Sequence, residues 1–311
     1  MLSVPTPIEP VNLQSFAGHG IELHVKRDDL IHPLIIGNKL RKSLGYFEQC
    51  QQAGFDSILT FGGRYSNHLL AVAQSGHELG IPTVGIIRGT DLRGLSPVMD
   101  ECRRKQMQII AVKADEYYPL QQMSNQDLVV HFNLNMTPCI IREGGTSVQA
   151  IEGVGQIITE IADLSSYTWL VCPVGTGGTA AGLVWALSQR TESRLPKVLA
   201  LSVLKGYRAL PEQGQSALRE KVGKEAASNI LERHLEFDGT APWGRYGKPS
   251  EDIMVRLHAL QNAVSFPLDY VYTGKALLQL EQMVLTGRFA RDSRLLFLHT
   301  GGYQTAPIQA E

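Results

Sequence analysis

Short apolar runs of strand length recur along this chain, separated by helix-length segments, and several of them end in glycine. Ser57 to Phe61 reads as a buried strand closed by Gly62-Gly63. A helix follows, with Ser66-Asn67 as its cap, Leu69, Val72, Ala73 and Leu79 as apolar positions, and Gly80 as its stop. Thr83 to Ile87, Met107 to Val112, Thr168 to Val174, Lys197 to Val203 and Arg294 to His299 read as further strands. Val98 to Lys105 and Thr179 to Leu187 read as helices between them. Strands alternating with helices indicate βαβ units, hence an α/β fold with mostly parallel sheets and helices on both faces. No internal repeat or low-complexity stretch interrupts the pattern. Gly206 to Ser250 is the most polar and least regular piece and reads as a long loop of the functional or mobile kind.

Composition narrows the function classes. The 311 residues carry 29 Lys plus Arg against 30 Asp plus Glu, a formal charge of -1. That balance leaves no electrostatic footprint for nucleic acid or an anionic membrane surface. Charged residues make up 19% of the chain, below the average of about 25%, and 43% are hydrophobic, which argues against disorder. The length predicts about two domains. Cys50, Cys102, Cys139 and Cys172 show no C-x-x-C spacing and read as reduced thiols of a cytoplasmic protein rather than a disulfide framework or metal site. The start of the chain has no basic segment leading into an apolar one, and no apolar run approaches a membrane-spanning length.

Glycines at the ends of parallel strands are where such sheets bind ligands. The strongest anion site is Val174 to Gly182 (VGTGGTAAG), where a strand turns into a helix through Gly175, Thr176, Gly177, Gly178 and Thr179. Backbone N–H groups and the helix N-terminus together suit a phosphate. It is not a Walker loop, and Ala180 breaks the G-x-G-x-x-G spacing; the plain alternative is a tight turn without ligand. Lys39, in Gly37-Asn38-Lys39 beside Leu34, Ile35 and Ile36, is a candidate amine nucleophile if that apolar run desolvates it. The alternative is an ordinary surface lysine at a helix start, which is how Arg41 and Lys42 read. Gly62 to His68 offers small polar side chains at a helix start for a carboxylate, or Ser66 and Asn67 are simply capping groups and His68 structural. A Ser-His-Asp triad is not supported, since no G-x-S-x-G occurs.

Taken together, these segments resemble the pyridoxal-phosphate enzymes of the tryptophan-synthase-β-like fold, and within them the branch of 1-aminocyclopropane-1-carboxylate deaminase and D-cysteine desulfhydrase. The resemblance runs from about Leu23 to Tyr303. It is carried by eight motifs in the family's order: KRDD (Lys26 to Asp29), GNKLRK (Gly37 to Lys42), GG-x-x-SNH (Gly62 to His68), EGGTS (Glu143 to Ser147), VGTGGTAAG, RYGKP (Arg245 to Pro249), DYVYTGKA (Asp269 to Ala276) and HTGG (His299 to Gly302). It implies a two-domain chain, with 1–47 and 151–311 as a large cofactor-binding domain and 48–150 as a smaller inserted βαβ domain. The implied cofactor is pyridoxal 5'-phosphate, with no metal. Lys39 would carry it covalently and move the proton at the substrate α-carbon. Asn67 would bond its 3-hydroxyl, and Gly175 to Thr179 would hold its phosphate. Ser66, Asn67 and His68 would meet the substrate, Ser66 binding its carboxylate and taking part catalytically in proton transfer; Tyr272 would act beside it, and Tyr246 would stand at the mouth of the site. A cytoplasmic homodimer acting on a small amino acid is implied, with no nucleic-acid or membrane partner.

Two positions bear on the reaction. Deaminase members align Glu and Leu where this chain has Thr273 and Thr300. The resemblance thus assigns both threonines to the cofactor's pyridine nitrogen, where a neutral hydroxyl weakens the electron sink and suits β-elimination. The expected activity is D-cysteine desulfhydrase-like, giving pyruvate, ammonia and sulfide. The alternatives are 1-aminocyclopropane-1-carboxylate deamination to 2-oxobutyrate and a non-catalytic relative of the fold. The chain departs from the family at Arg64-Tyr65, where Ile-Gln is usual, and at Leu69-Leu70, where Val-Arg is usual. Arg64 either meets a substrate's distal carboxylate or is merely exposed.

Overall fold

Along the strand Ser57–Gly62 every side chain is buried, which requires cover on both faces of its sheet. The computed structural model describes residues 3–32, 37–90, 96–241, 243, 249–302 and 308. Its strands are β1 (Ile8–Pro10), β2 (Glu22–Lys26), β3 (Ser57–Gly62), β4 (Thr83–Arg88), β5 (Gln108–Val112), β6 (Pro138–Ile141), β7 (Trp169–Val174), β8 (Lys197–Ser202), β9 (Leu235–Asp238) and β10 (Arg294–Leu298). Its helices are α1 (Gln14–Ala17), α2 (Asn38–Gln52), α3 (Asn67–Leu79), α4 (Pro97–Arg104), α5 (Ala114–Gln122), α6 (Asn125–His131), α7 (Val148–Thr159), α8 (Gly178–Ser188), α9 (Glu212–Val222), α10 (Lys224–His234), α11 (Glu251–Ala263) and α12 (Thr273–Leu285).

Two sheets result. One has the order β1-β2-β10-β7-β8-β9, antiparallel only at its β1 edge; the other, β5-β4-β3-β6, is parallel throughout. The strand alternation divides the side chains between two cores. In the larger sheet Cys172, Val174, Val198, Ala200, Leu296 and Leu298 face α7 to α10, while Val171, Leu199, Leu201, Leu295 and Phe297 face α1, α11 and α12. In the smaller sheet Ile58, Ile87 and Ile141 pack with α2, α3 and α4, and Leu59, Phe61, Val84 and Ile86 pack with α5 and α6. This is the α/β architecture with mostly parallel sheets expected from the strand and glycine pattern.

The local signals around β3 and α3 act as the sequence implies. Ser66 caps α3, its Oγ accepting from the Leu69 N–H, and Gly80 ends the helix in the left-handed region. Two expectations need correction. Residues 206–250 are not one long loop: they hold α9, α10 and the edge strand β9, which pairs in parallel with β8. Buried Gly214, Ala217, Leu218 and Ala227 give these helices a narrow apolar face that their polar composition masks. The cysteines are not all reduced either. Cys50 on α2 is bonded to Cys139 on β6, 89 residues away, while Cys102 and Cys172 are free and buried. Only the fold brings the bonded pair together, with Cα atoms 5.7 Å apart.

Candidate active site

The carboxyl ends of six strands converge on one cavity of about 490 Å³. β3 delivers Gly63, Ser66, Asn67 and His68; β4 delivers Arg88; β6 delivers Glu143 and Gly144; β7 delivers Gly175 to Ala180; β8 delivers Leu204 and Lys205; β10 delivers Thr300 and Gly301. Both sheets thus place their ligand-binding edges on the same space, as open parallel sheets do.

Lys39 enters this space from the first turn of α2. Gly37, just before that turn, has φ +73°, and a β-carbon there would lie 1.9 Å from the Thr300 carbonyl oxygen. The turn into α2 is therefore pressed against the exit of β10, which only glycine permits. Lys39 Nζ donates to the Gly144 carbonyl at 3.3 Å. Burial pushes its amine down to about 8, with the Glu143 carboxylate pulling partly against that shift. Leu34, Ile35 and Ile36, from which desolvation was expected, lie outside the described residues; burial in the cavity wall does the same work.

Arg41 and Lys42 are not solvated, as their composition suggested, but buried, at 1% and 2% exposure. Arg41 turns away from the cavity into an ionic cluster. Lys42 turns into the cavity, and its Nζ reaches the same Gly144 carbonyl at 3.3 Å. Its amine is held well below the ordinary lysine value by burial first and by the neighbouring Lys39 second. Lys42 was legible in principle: three residues after Lys39 in a helix, it shares that face.

The glycine loop forms the opposite end of the cavity. Gly177 adopts the left-handed region at φ 85° and precedes α8 without any side-chain cap, so the first N–H groups of α8 are open. A β-carbon on Gly178 would lie 2.8 Å from Lys42 Nζ and 2.6 Å from Thr146 Oγ1. A lysine amine therefore overhangs an uncapped helix N-terminus, an arrangement that fits a phosphate. Asn38 Nδ2 donates to Thr179 Oγ1, and the Thr146 and Thr176 hydroxyls are bonded at 2.8 Å, fixing the loop from both sides.

Ser66, Asn67, His68, Gly175 to Thr179, Tyr272 and Thr300 all line this cavity with Lys39. Ser66 is at the same time the α3 cap. His68 Nε2 donates to Thr60 Oγ1 at 2.8 Å, since that hydroxyl spends its own proton on the Ile141 carbonyl. Burial first, then Lys39 and Lys42, hold its pKa well below the usual value, so His68 is a neutral wall group. The Tyr272 ring lies against the glycine loop, 3.2 Å from where a β-carbon on Gly175 would stand. Thr273 does not reach the cavity. It is fully buried, and its hydroxyl donates at 2.5 Å to Asp269, whose carboxylate also gathers the N–H groups of Val271, Tyr272 and Thr273 at the start of α12. Arg64 is not among the lining residues. Tyr246 lies outside the described residues, as does RYGKP up to its Pro249. Lys42, Arg88, Asn38 and Glu143 are lining residues the motif reading did not single out. Among the described residues, no group of three or more His, Cys, Asp or Glu is arranged to hold a metal, and no helix is long and apolar enough to cross a membrane.

Comparison with known proteins agrees with this geometry. A D-cysteine desulfhydrase of Salmonella paratyphi A is 30% identical over 320 residues, covering 97% of this chain and 93% of its own. A protein of Pyrococcus abyssi named for 1-aminocyclopropane-1-carboxylate deaminase is 28% identical over 299 residues, covering 91% and 85%. The crystal structure of a homologue of that deaminase superposes with TM-score 0.80 at 25% identity, over 98% of this chain and 91% of that one. The family model for pyridoxal-phosphate dependent enzymes matches residues 2–301, a span that includes both sheets and the described cavity-lining residues, and the chain belongs to that family.

Proposed function

We propose that the protein is a lyase of small amino acids, working by D-cysteine desulfhydrase-like β-elimination. One observation carries the reading: a desolvated lysine amine, Lys39, opens on the same cavity as an uncapped helix N-terminus overhung by a second lysine. When bound, pyridoxal phosphate supplies the electron sink for a bond at the substrate α-carbon. In this reading the N–H groups at the start of α8, Thr179 and Lys42 hold the phosphate. Asn67 bonds the ring hydroxyl, and Ser66 with Asn67 orients the substrate carboxylate. Lys39, with its amine near pKa 8, is poised to take the α-proton at neutral to mildly alkaline pH. Tyr272 stands over the glycine loop, where it can steer the departing group. The Cβ–S bond then breaks with its electron pair on sulfur, and water converts the released 2-aminoacrylate to pyruvate and ammonium.

Preference for β-elimination over ring opening now rests on Thr300, a neutral hydroxyl in the cavity wall, because Thr273 is committed to Asp269. The strands β3 to β6 lie between residues 57 and 141, which supports 48–150 as an inserted domain whose closure on 1–47 and 151–311 would exclude water. The same reading carries a cytoplasmic homodimer, which sedimentation would test. The deciding experiment incubates the holoenzyme with D-cysteine and with 1-aminocyclopropane-1-carboxylate. Pyruvate from the first is expected; 2-oxobutyrate alone would overturn the preference. Lys39→Ala is expected to lose the cofactor's visible absorbance and turnover together. A wild-type protein that stays colourless after reconstitution would instead favour a non-catalytic relative.

A further inference from the structure

Arg88 stands at the carboxyl end of β4, on the cavity wall, and the elimination chemistry above gives it no task. Its guanidinium lies over the Tyr117 and Tyr118 rings, 5.6 and 5.7 Å from their centres, and Nη1 donates to the Tyr118 hydroxyl. Nη2 is 3.9 Å from where a β-carbon on Gly63 would stand, so the fork hangs over the loop that leads to Ser66 and Asn67. Among the described residues no carboxylate forms an ion pair with it. Among the described cavity-lining residues Glu143 is the one carboxylate, and it stands close enough to Lys39 to offset part of the lowering that burial imposes on that amine. Two aromatic faces thus flank an arginine at a ligand cavity, and among the described residues only its Nη1 is engaged, by the Tyr118 hydroxyl. A guanidinium so placed is pre-organised for a planar or tetrahedral anion.

We propose that Arg88 is a specificity-determining residue that selects amino acids carrying a second anionic group on the β-carbon. The proposal rests on the lyase reading above and names its substrate class. Ser66 and Asn67 would take the α-carboxylate while Arg88 takes the side-chain anion, as a carboxylate or as a phosphate ester. The chemistry balances for either source. With O-phosphoserine the α-proton goes to the enzyme, the Cβ–O bond breaks with its pair on phosphate, and water gives pyruvate, ammonium and inorganic phosphate. With 3-hydroxyaspartate the β-hydroxyl leaves as water after protonation, the side-chain carboxylate stays, and hydrolysis gives oxaloacetate and ammonium. No oxidant or reductant enters either sequence.

The test measures ammonium release and the substrate-induced change in cofactor absorbance, for both enantiomers of O-phosphoserine, 3-hydroxyaspartate, serine and cysteine. It uses the wild-type holoenzyme, Arg88→Gln and Arg88→Lys. The wild type should prefer at least one acidic substrate over its neutral counterpart in kcat/KM, and the spectral Kd should follow. Arg88→Gln should lower the acidic-to-neutral ratio of kcat/KM by about 30-fold, the worth of a charge-assisted hydrogen-bonded pair, and Arg88→Lys should recover part of it. Phosphate against carboxylate is decided by which acidic substrate carries the ratio. Turnover of serine or cysteine with no acidic preference, or an Arg88→Gln loss equal for both classes, would overturn the proposal and leave the lyase reading intact. An equal loss would place Arg88 at the α-carboxylate instead. A holoenzyme whose spectrum and turnover respond to none of these amino acids would overturn both.

Discussion

Replacing Arg41 with methionine removes the centre of a buried charge quartet that fixes the helix carrying Lys39. Arg41 donates through Nε and Nη2 to Asp28 at 2.6–3.0 Å, and through Nη1 and Nη2 to Glu160 at 2.8 and 3.0 Å. Lys26 Nζ completes the set at 2.7 Å from Glu160. The Arg41 and Lys26 side chains are 1% exposed and that of Asp28 is fully buried, so two cations and two carboxylates balance in the interior between β2, α2 and α7. Methionine fills a similar volume but leaves Lys26 alone against both carboxylates. Breaking a buried pair in this way costs about 3–5 kcal/mol, far more than a surface ion pair. The pH dependence follows from Glu160. Burial alone would raise its pKa, but Arg41 and Lys26 outweigh burial and hold it below the ordinary value. Its contribution is therefore complete above the unfolded value of about 4.5 and is lost as pH falls through the lowered folded value. Without Arg41 the folded value moves back up, so the gap between wild type and variant should narrow as pH falls through about 4.5 towards about pH 3. Urea unfolding followed by circular dichroism is the assay, because urea, unlike guanidinium, does not screen charge. A loss below about 1 kcal/mol at pH 7, or one unchanged at about pH 3, would refute the claim that this quartet holds the helix.

Other consequences are as direct. Lys42→Met should weaken pyridoxal phosphate binding by about 10- to 100-fold, the range for one hydrogen bond to a charged group, while binding of pyridoxal without its phosphate changes far less; spectral titration of both separates them. Gly178→Ala should fold, since alanine is a good helix former, yet lose cofactor affinity because its methyl would stand 2.6–2.8 Å from Thr146 and Lys42. With its amine near pKa 8, Lys39 is about one-tenth neutral at pH 7 and half neutral near pH 8. The rate of cofactor uptake by the apoprotein should therefore climb to about pH 8 and level off; a climb continuing to pH 10 would mean an unperturbed lysine. Thiol alkylation under denaturing, non-reducing conditions should label two of the four cysteines, Cys102 and Cys172. Reduction of Cys50–Cys139, 89 residues apart in sequence, should lower stability by about 2–4 kcal/mol.

What the sequence made legible was local. β3, its glycine end, the Ser66 cap and the Gly80 stop are encoded within 25 residues, and backbone propensity alone suffices to place them. The glycine loop before α8 is equally local. What stayed hidden depends on distant partners. Helical spacing puts Lys42 on the Lys39 face, but its burial depends on Gly144 and the start of α8 being brought over it. Arg41 needs Asp28 and Glu160, and Cys50 needs Cys139. The two helices within 206–250 were missed for another reason: of their buried positions Gly214, Ala217 and Ala227 are small and His234 is polar, which leaves Leu218 to carry the hydrophobic signal. Arg88 ends an ordinary apolar strand, and no neighbour in sequence marks it as part of a cavity.

The same distinction decides how the reaction should be argued. A motif places Thr273 beside Tyr272, and adjacency in sequence suggests that both face the ligand. The start of a helix separates them: Tyr272 projects over the glycine loop, whereas Thr273 is the residue whose hydroxyl an aspartate can recruit to hold the turn. A residue-for-residue exchange at position 273 between relatives therefore alters the packing behind the site before it alters the site. Thr300 and Arg88 are different in kind, because each reaches the cavity from the end of its own strand. In the proposed reading, chemical selectivity is written on those strand ends, where a side chain can change without altering the helix that presents Lys39.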